Sequence, residues 1–329
     1  MSERRVTSRD VAQRAGVSQS TVSYVLNHTP GQSISAATQA RVLQAAEELG
    51  YTPSAAARAL RSGSTGVVVG VLADAPLGPV VVQVLEAFGQ VLESQGYSVV
   101  FQRRRGRSLD EMLRALAPVA LAQFAAFAPD ELGAARQRGI PVVGVSVDGT
   151  GGNVVRIPQE RVGEIQAAHL LDRGHTRLGY AASAHPLAVV LMRGRLAGVR
   201  SLCAARGLPA PVVVDVPLYP DAATRAVRRL RDREEPVTAA VAYDDEVALA
   251  LLAGAHGAGV RVPEDLAVVG VDDVPLARLA LPPITTVRVH TGDTGTGLAR
   301  HLLRLLQPEL GLPEPDDEPS IDLVTRAST

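Results

Sequence analysis

The chain predicts a small all-α helix-turn-helix headpiece followed by a two-lobed α/β core with parallel sheets. Three observations lead there. The first 63 residues read as short capped helices joined by a tight turn. From Gly66 onward, short apolar runs alternate with amphipathic stretches, the mark of strand–helix units with right-handed crossovers. The length of 329 residues, 46% of them hydrophobic, suits about two domains plus a small module.

The helical module comes first. Thr7 and Asp10 are spaced as a capping box, with Asp in place of the usual Glu or Gln. Asp10 also lies at the positive end of the helix dipole. Val11, Ala12 and Ala15 form an apolar face, and Gly16 permits a tight turn. Ser18 caps a second helix whose Val22, Val25 and Leu26 point inward, leaving Gln19, Ser20, Thr21 and Tyr24 outside. Small polar side chains at the start of a second helix suit entry into a DNA groove. Ser35 caps a third helix over 36–49, ended by Gly50, with Leu43, Ala46 and Leu49 expected to close the core. A plain three-helix docking module would share this pattern. Charge favours DNA: residues 1–64 carry seven Arg against four acids, while the whole chain has a net charge of −1. A basic head on an acidic body fits local phosphate contact.

Next, Ser54 can cap a short segment over 55–61, stopped by Gly63. One or two turns of helix are mostly unfolded alone, so this reads as a linker.

The body offers strands at 67–72, 98–102, 121–126, 141–145, 178–182, 212–214, 239–242 and 266–271, with helices between them. Ligands of open parallel sheets bind beyond the strand C-terminal ends. Asp272, Asp244, Asp74 and Asp148 follow strands in this way, and Arg195 is expected to open a helix after a strand and loop. Carboxylates and guanidinium groups suit hydroxyls or a carboxylate. The stretch 80–95 is unusually apolar and is a candidate dimer surface. The run Arg103-Arg-Arg-Gly-Arg107 reads as solvated surface charge.

Other classes are disfavoured. Cys203 is the only cysteine, which suits a reducing cytosol. Arg4 and Arg5 precede no apolar stretch, so no signal peptide is expected. No apolar run reaches the roughly 18 residues of a membrane span. No nucleophile elbow, phosphate loop or Cys/His metal spacing is present, and His169 and His175 lack a third ligand. Asp244, Asp245 and His256 alone do not make a hydrolase, so neither enzymatic activity nor a metal or cofactor is expected. A secreted solute-binding protein would share the body but not the head.

The motifs together resemble the lactose-repressor/galactose-repressor (LacI/GalR) family of transcription regulators. In the head these are Thr7…Asp10-Val-Ala…Ala15-Gly-Val-Ser18, Thr21-Val-Ser23, Val25-Leu-Asn27, Ser35-x-x-Thr38-x-x-Arg41-Val42 and Gly50-Tyr-x-Pro53. In the body they are Gly174-His175-x-x-Leu178-Gly179-Tyr180, Arg195-Leu-Ala-Gly198, Val262-Pro-Glu-Asp265, Val268-Val-Gly-Val-Asp-Asp273, Leu281-Pro-Pro and Ile284-Thr-Thr-Val287.

The resemblance implies a headpiece at 1–53, a hinge at 54–64 and an effector-binding, dimerising core at 65–329. The core would have an N-lobe near 66–155 plus 291–318 and a C-lobe near 156–290 plus 319–329. Ser18 and Thr21 would touch phosphate, while Gln19, Ser20 and Tyr24 would read bases; Thr7, Ser23 and Asn27 complete the DNA-contacting set. Tyr24 stands where the family commonly has Arg and cannot make the bidentate guanine contact.

In the hinge, Ala57 would allow close approach in the minor groove and Leu60 would wedge between bases, flanked by Arg58 and Arg61. In the core, Arg195 and Asp272 are the recurrent effector ligands. Asp244, Asp74, Asp148 and Tyr243 are further candidates, with helix capping or interlobe polar contact the alternative for the three carboxylates.

The partners implied are a pseudo-palindromic operator in double-stranded DNA, a small-molecule effector such as a sugar, and a second copy of the chain, with no membrane. The setting implied is the cytoplasm, on the nucleoid. Two departures bear on the effector. Gln159-Glu160 replaces the family's usual Asp-Asn, and 74–79 lacks the usual aromatic. The nearest rings for stacking a sugar are Tyr180, Tyr219 and Tyr243. A DNA-bound regulator with a degenerate pocket and no effector is the rival reading.

Overall fold

The protein is described from a computed structural model, over residues 6–26, 33–51, 65–74, 77–125, 127–146, 154–185, 188–314 and 319–329. Asn27, Asp148 and the hinge positions Ala57, Arg58, Leu60 and Arg61 lie outside the described residues. The chain divides into two compact units, 1–66 with 117–119, and 67–116 with 120–329.

The first unit holds α1 (Ser8–Ala15), α2 (Gln19–Leu26) and α3 (Ala36–Glu48). The capping box at its start is formed: the Thr7 amide donates to Asp10 Oδ2 at 2.7 Å, and the Asp10 amide donates to Thr7 Oγ1 at 3.4 Å. Gly16 ends α1 at φ 66°, a conformation that favours glycine. Val11, Ala12, Ala15, Val22, Val25, Val42, Ala45 and Ala46 make the core. Leu43 does not close it, being 49% exposed. The helical repeat runs through Val42, Ala45, Ala46 and Leu49, so phase overrides side-chain size and Val42 takes the inner place.

The second unit contains two sheets. The first is all parallel, in the order β2-β1-β3-β4-β5, with β1 Val67–Leu72, β2 Ser98–Arg103, β3 Ala120–Phe124, β4 Val142–Ser146 and β5 Val154–Arg156. Helices α4 (Pro79–Ser94), α5 (Leu109–Leu116) and α6 (Pro129–Gln137) connect its strands.

The second sheet comprises β6 Leu178–Ser183, β7 Val212–Val216, β8 Ala239–Ala242, β9 Ala267–Val271, β10 Thr285–Val289 and β11 Ile321–Val324. Its order is β11-β10-β9-β8-β6-β7, parallel except for antiparallel β11. Helices α7 (Gln159–Asp172), α8 (Val189–Ala205), α9 (Pro220–Arg231), α10 (Asp245–Ala258) and short α11 (Pro275–Leu279) serve it.

Each of the eight runs read as strands holds a strand; residue 126, at the end of one run, lies outside the described residues. β5, β10 and β11 were not foreseen. Thr285 and Thr286 make β10 look polar, yet both are fully buried with their hydroxyls bonded, Thr286 Oγ1 donating to Asp245 Oδ1 at 2.7 Å.

Helix α12 (Thr291–Leu306) follows β10 of the second sheet but packs on α4 of the first lobe. A Cβ on Gly295 would lie 2.3 Å from the Val84 carbonyl oxygen, so only glycine permits this approach. Thr291 Oγ1 donates to Gln83 Oε1 at 3.1 Å, and Gln307 Nε2 donates to the Tyr97 hydroxyl at 2.9 Å. The apolar residues of α4 are therefore largely occupied within the lobe: Val84, Leu85, Phe88 and Leu92 are buried. That helix has less free apolar surface for a partner than its sequence suggests.

Candidate functional site

A cleft of about 370 Å³ opens in the second unit, walled by elements of both sheets. Its polar end is set by the α7–α8 crossing. Cβ atoms on Gly163 and Gly198 would lie 1.9 Å from the Arg195 carbonyl oxygen and 2.0 Å from that of Glu160. The two helix backbones therefore touch, which brings Gln159 of α7 against Arg195 of α8. Arg195 does not open its helix; it lies in the second turn of α8, which begins at Val189.

Arg195 is 5% exposed. Its Nε donates to Gln159 Oε1 at 2.7 Å, Nη1 donates to the Tyr243 carbonyl, and the guanidinium lies 4.7 Å from the centroid of the Tyr243 ring. Nη2 stands 3.9 Å from Asp272 Oδ1, beyond hydrogen-bond reach.

Asp272 follows β9 at φ 104°, a left-handed conformation that costs a non-glycine residue strain. Its backbone amide donates to the Val287 carbonyl at 2.8 Å, tying it to β10. Burial pushes its carboxyl up to about 6; Arg195 opposes that rise, and the charges of Asp244 and Glu246 add to it. Next to it, Asp273 at φ 50° receives hydrogen bonds from Arg278, Arg288 and Arg326. Burial would raise the Asp273 carboxyl, but these donors outweigh burial and hold it below its ordinary value.

Of the residues proposed from sequence, Arg195 and Asp272 line the cleft together. Asp244 does not; its Oδ1 accepts from the Val247 amide at 2.8 Å and caps α10. Tyr243 lies beneath Arg195, and burial raises its hydroxyl to about 12. Asp74 is outside the cleft, exposed and 4.0 Å from Arg105. Tyr180 is fully buried and its hydroxyl donates to the Met192 carbonyl, while Tyr219 is 72% exposed. Among the described residues, Phe124 is the one aromatic ring in the lining.

Sequence reasoning missed Gln123, Thr291 and Thr294 as lining residues, and Gln159 was noticed only as a departure. Thr291 and Thr294 stand one turn apart at the start of α12, and recognising β10 would have placed them at a strand end. The opposite wall is apolar, from Val80, Val81 and Val84 of α4 with Phe124, Val145 and Val289.

In the headpiece, Ser18 Oγ accepts from the Thr21 amide at 3.1 Å and lies 2.7 Å from Ser20 Oγ and 2.8 Å from Thr21 Oγ1. Gln19, Ser20 and Tyr24 are exposed, whereas Thr21 and Ser23 are half-buried on the flank of α2. The polar face is thus presented from one short helix with its apolar face locked by Val22 and Val25. Thr7 is engaged with Asp10 at the start of α1. Among the described residues no group of three or more His, Cys, Asp or Glu could hold a metal ion, and no helix is long and apolar enough to cross a membrane.

Comparison with known proteins agrees with both halves. Residues 7–54 match the family model for bacterial regulatory proteins of the lacI family, and 167–329 match that for a periplasmic binding protein-like domain. The chain is 34% identical to the HTH-type transcriptional regulator MalR of Streptomyces coelicolor, over 97% of this chain and 95% of that one. A solved complex of the transcriptional regulator CelR with cellobiose is 28% identical at a TM-score of 0.67, covering 99% of this chain and all of that one. The lac repressor dimer bound to operator and the anti-inducer ONPF has the same fold, at a TM-score of 0.83 and 24% identity, with 99% of each chain covered.

Proposed function

The chain belongs to the lacI family of bacterial regulatory proteins, and from that premise we propose that it represses transcription as a homodimer whose grip on a pseudo-palindromic operator is set by a small-molecule effector. It is a DNA-binding regulator and not an enzyme. Each headpiece, 1–53, reads one half-site in the major groove. Ser18 and Thr21 hold phosphate, Gln19, Ser20 and Tyr24 face base edges, and Thr7, Ser23 and Asn27 complete the DNA-contacting set. Ala57, Arg58, Leu60 and Arg61 of the hinge, 54–64, pair with the partner's hinge in the minor groove. An operator-binding protein of this kind works in the cytoplasm, on the nucleoid.

One observation carries the effector reading: Arg195 and Asp272, both shielded from solvent, converge on a cleft walled by elements of both sheets. A ligand there touches both lobes, with 66–155 and 291–318 on one side and 156–290 and 319–329 on the other. Its differential affinity for open and closed lobes shifts the spacing of the hinges and hence DNA affinity. Dimerisation is supported by three exposed leucines on and just after α11, Leu276, Leu279 and Leu281, which are 59%, 76% and 90% exposed.

Affinity selection of genomic fragments tests the regulator reading, with a palindromic site beside transport or catabolic genes as the expected outcome. Arg195→Ala and Asp272→Asn test the effector reading. Both are expected to keep operator binding and lose the ligand response; retained ligand affinity in both overturns it.

A further inference from the structure

Asp245 opens α10, but Asp244 before it already caps that helix. An acidic residue in a first helical turn is ordinarily solvated and favours the helix dipole. Asp245 instead has no exposed surface, and its carboxylate turns inward. A Cβ on Gly270 of β9 would lie 2.1 Å from Asp245 Oδ1, so that strand gives up a side chain to admit the carboxylate. The strand ends around this niche are fixed from α7, where Gln166 Nε2 donates to the Gly270 carbonyl at 3.1 Å and to that of Ala242 at 2.8 Å. Burial pushes the Asp245 carboxyl up to about 7; its bonds from Thr286 and Val274 oppose that rise, and the charges of Asp272 and Asp244 add to it. A carboxylate buried this far is offset only by what it holds.

What it holds is the turn after β9. Asp272 and Asp273 both take left-handed φ values, 104° and 50°, which strain a non-glycine residue and persist only where the surroundings fix them. Three consecutive backbone amides are anchored there. The Asp272 amide donates to the Val287 carbonyl at 2.8 Å. The Val274 amide donates to Asp245 Oδ2 at 2.9 Å. Between them the Asp273 amide donates to Thr286 Oγ1 at 3.4 Å, and that hydroxyl donates in turn to Asp245 Oδ1 at 2.7 Å. Donation to the carboxylate leaves the threonine lone pairs to accept from Asp273. One carboxylate thus governs two of the three amides, directly and through Thr286. Arg278, Arg288 and Arg326 grip the Asp273 side chain, not these amides.

We propose that Asp245 is a positioning residue for Asp272: from behind the cleft, with Thr286 as relay, it holds the 272–274 turn in the form that keeps the Asp272 carboxylate beside Arg195. This rests on the reading of Asp272 as an effector ligand.

The test uses the full-length protein without effector. Amide hydrogen exchange is followed by mass spectrometry at 272–274, a window closed by Pro275, which has no amide. Asp245→Ala is expected to speed exchange there by roughly tenfold or more. The rest of α10 and β9 is expected to keep its protection, because Asp244 caps α10 independently. Asp245→Asn can still accept from the Val274 amide and is expected to stay near the parent. Thr286→Val keeps the side-chain shape, releases the Asp273 amide alone and is expected to fall between. Carbon-13 NMR of the aspartate carboxyls is the second readout, with Asp272→Asn identifying the Asp272 signal. Thr286→Val removes no charge, yet Asp272 is expected to titrate at a lower pH in it than in the parent, because a loosened turn returns the carboxyl to water.

Unchanged exchange at 272–274 in Asp245→Ala and Thr286→Val overturns the proposal. Equal loosening of 272–274, α10 and β9 makes Asp245 a general structural residue and overturns it too, as does an Asp272 titration unmoved by Thr286→Val. If Asp245→Ala does not fold, Thr286→Val decides alone. No effector enters either measurement, so these outcomes are distinct from failure of the effector reading, which the ligand response of Asp272→Asn reports.

Discussion

Replacing Gly163 with alanine separates the α7–α8 crossing from the intrinsic preference of either helix. In a helix interior with open space, Gly→Ala stabilises by about 1 kcal/mol. At Gly163 the new Cβ falls 1.9 Å from the Arg195 carbonyl oxygen and 2.8 Å from its carbonyl carbon. Both are backbone atoms, so no rotamer change relieves the clash and the helices must part. Overpacking of this kind costs about 1–3 kcal/mol. Parting also breaks the buried 2.7 Å hydrogen bond from Arg195 to Gln159, and a bond to a charged group contributes about 1.5–3 kcal/mol.

Set against the propensity gain, the net loss is about 1.5–5 kcal/mol, a fall of roughly 3–20 °C in the melting midpoint. Thermal unfolding followed by circular dichroism measures it, with Gly133→Ala on α6 as the control, because a Cβ there meets nothing within 4 Å. The control is expected to melt higher than the parent protein. A Gly163→Ala protein that also melts higher refutes the close crossing, and with it the account of how Arg195 is placed.

Other outcomes follow from the same geometry. Asp273→Ala removes the carboxylate shared by Arg278, Arg288 and Arg326 and is expected to cost about 3 kcal/mol in urea unfolding, since it leaves the largely buried Arg326 unpaired. Because the Asp273 carboxyl is held below its ordinary 3.8, the stability it contributes is present above about pH 4 and lost as pH falls through its folded value. Unfolding between pH 5 and 2, on the order of the range where such linkage acts, should steepen in the parent but not in the variant.

Effector affinity is expected to weaken as pH drops through about 6, where Asp272 takes up its proton and ceases to be a full acceptor. A pH-independent affinity in the wild type would remove Asp272 from the contact. Leu60→Ala is expected to weaken operator binding far more than binding to bulk DNA in filter or mobility assays. Equal losses on both would exclude the wedge.

Much of this architecture is legible in the sequence because it is local. The capping pair Thr7 and Asp10, the glycine turn at Gly16 and the apolar strand runs are each fixed by neighbours within a few residues. The cleft is less legible because it is assembled from distant segments. Asp272 and Arg195 were reachable as charged groups near strand ends, but Thr294 and Gln123 carry no charge and no motif. Asp244 illustrates the alternative left open for it: a carboxylate after a strand is also the ordinary start of a helix, and here it caps α10. Leu43 misled by size, and β10 was hidden by Thr285 and Thr286, whose hydroxyls donate to the Arg326 carbonyl and to Asp245, each 41 residues away.

The crossing of α12 also bears on how the chain comes together in time. Its partner α4 is made some two hundred residues earlier; the Thr291–Gln83 bond spans 208 positions and the Gln307–Tyr97 bond spans 210. Contacts so far apart in sequence close slowly, because chain entropy must be lost before they form. During synthesis the first sheet can pair its strands while the α12-facing side of α4 remains without its cover. The α4 face around Val84 and Ala87 is shielded only when α12 arrives. The half that emerges first is therefore the half that finishes last, and its unfinished form is the species most exposed to aggregation and to chaperones.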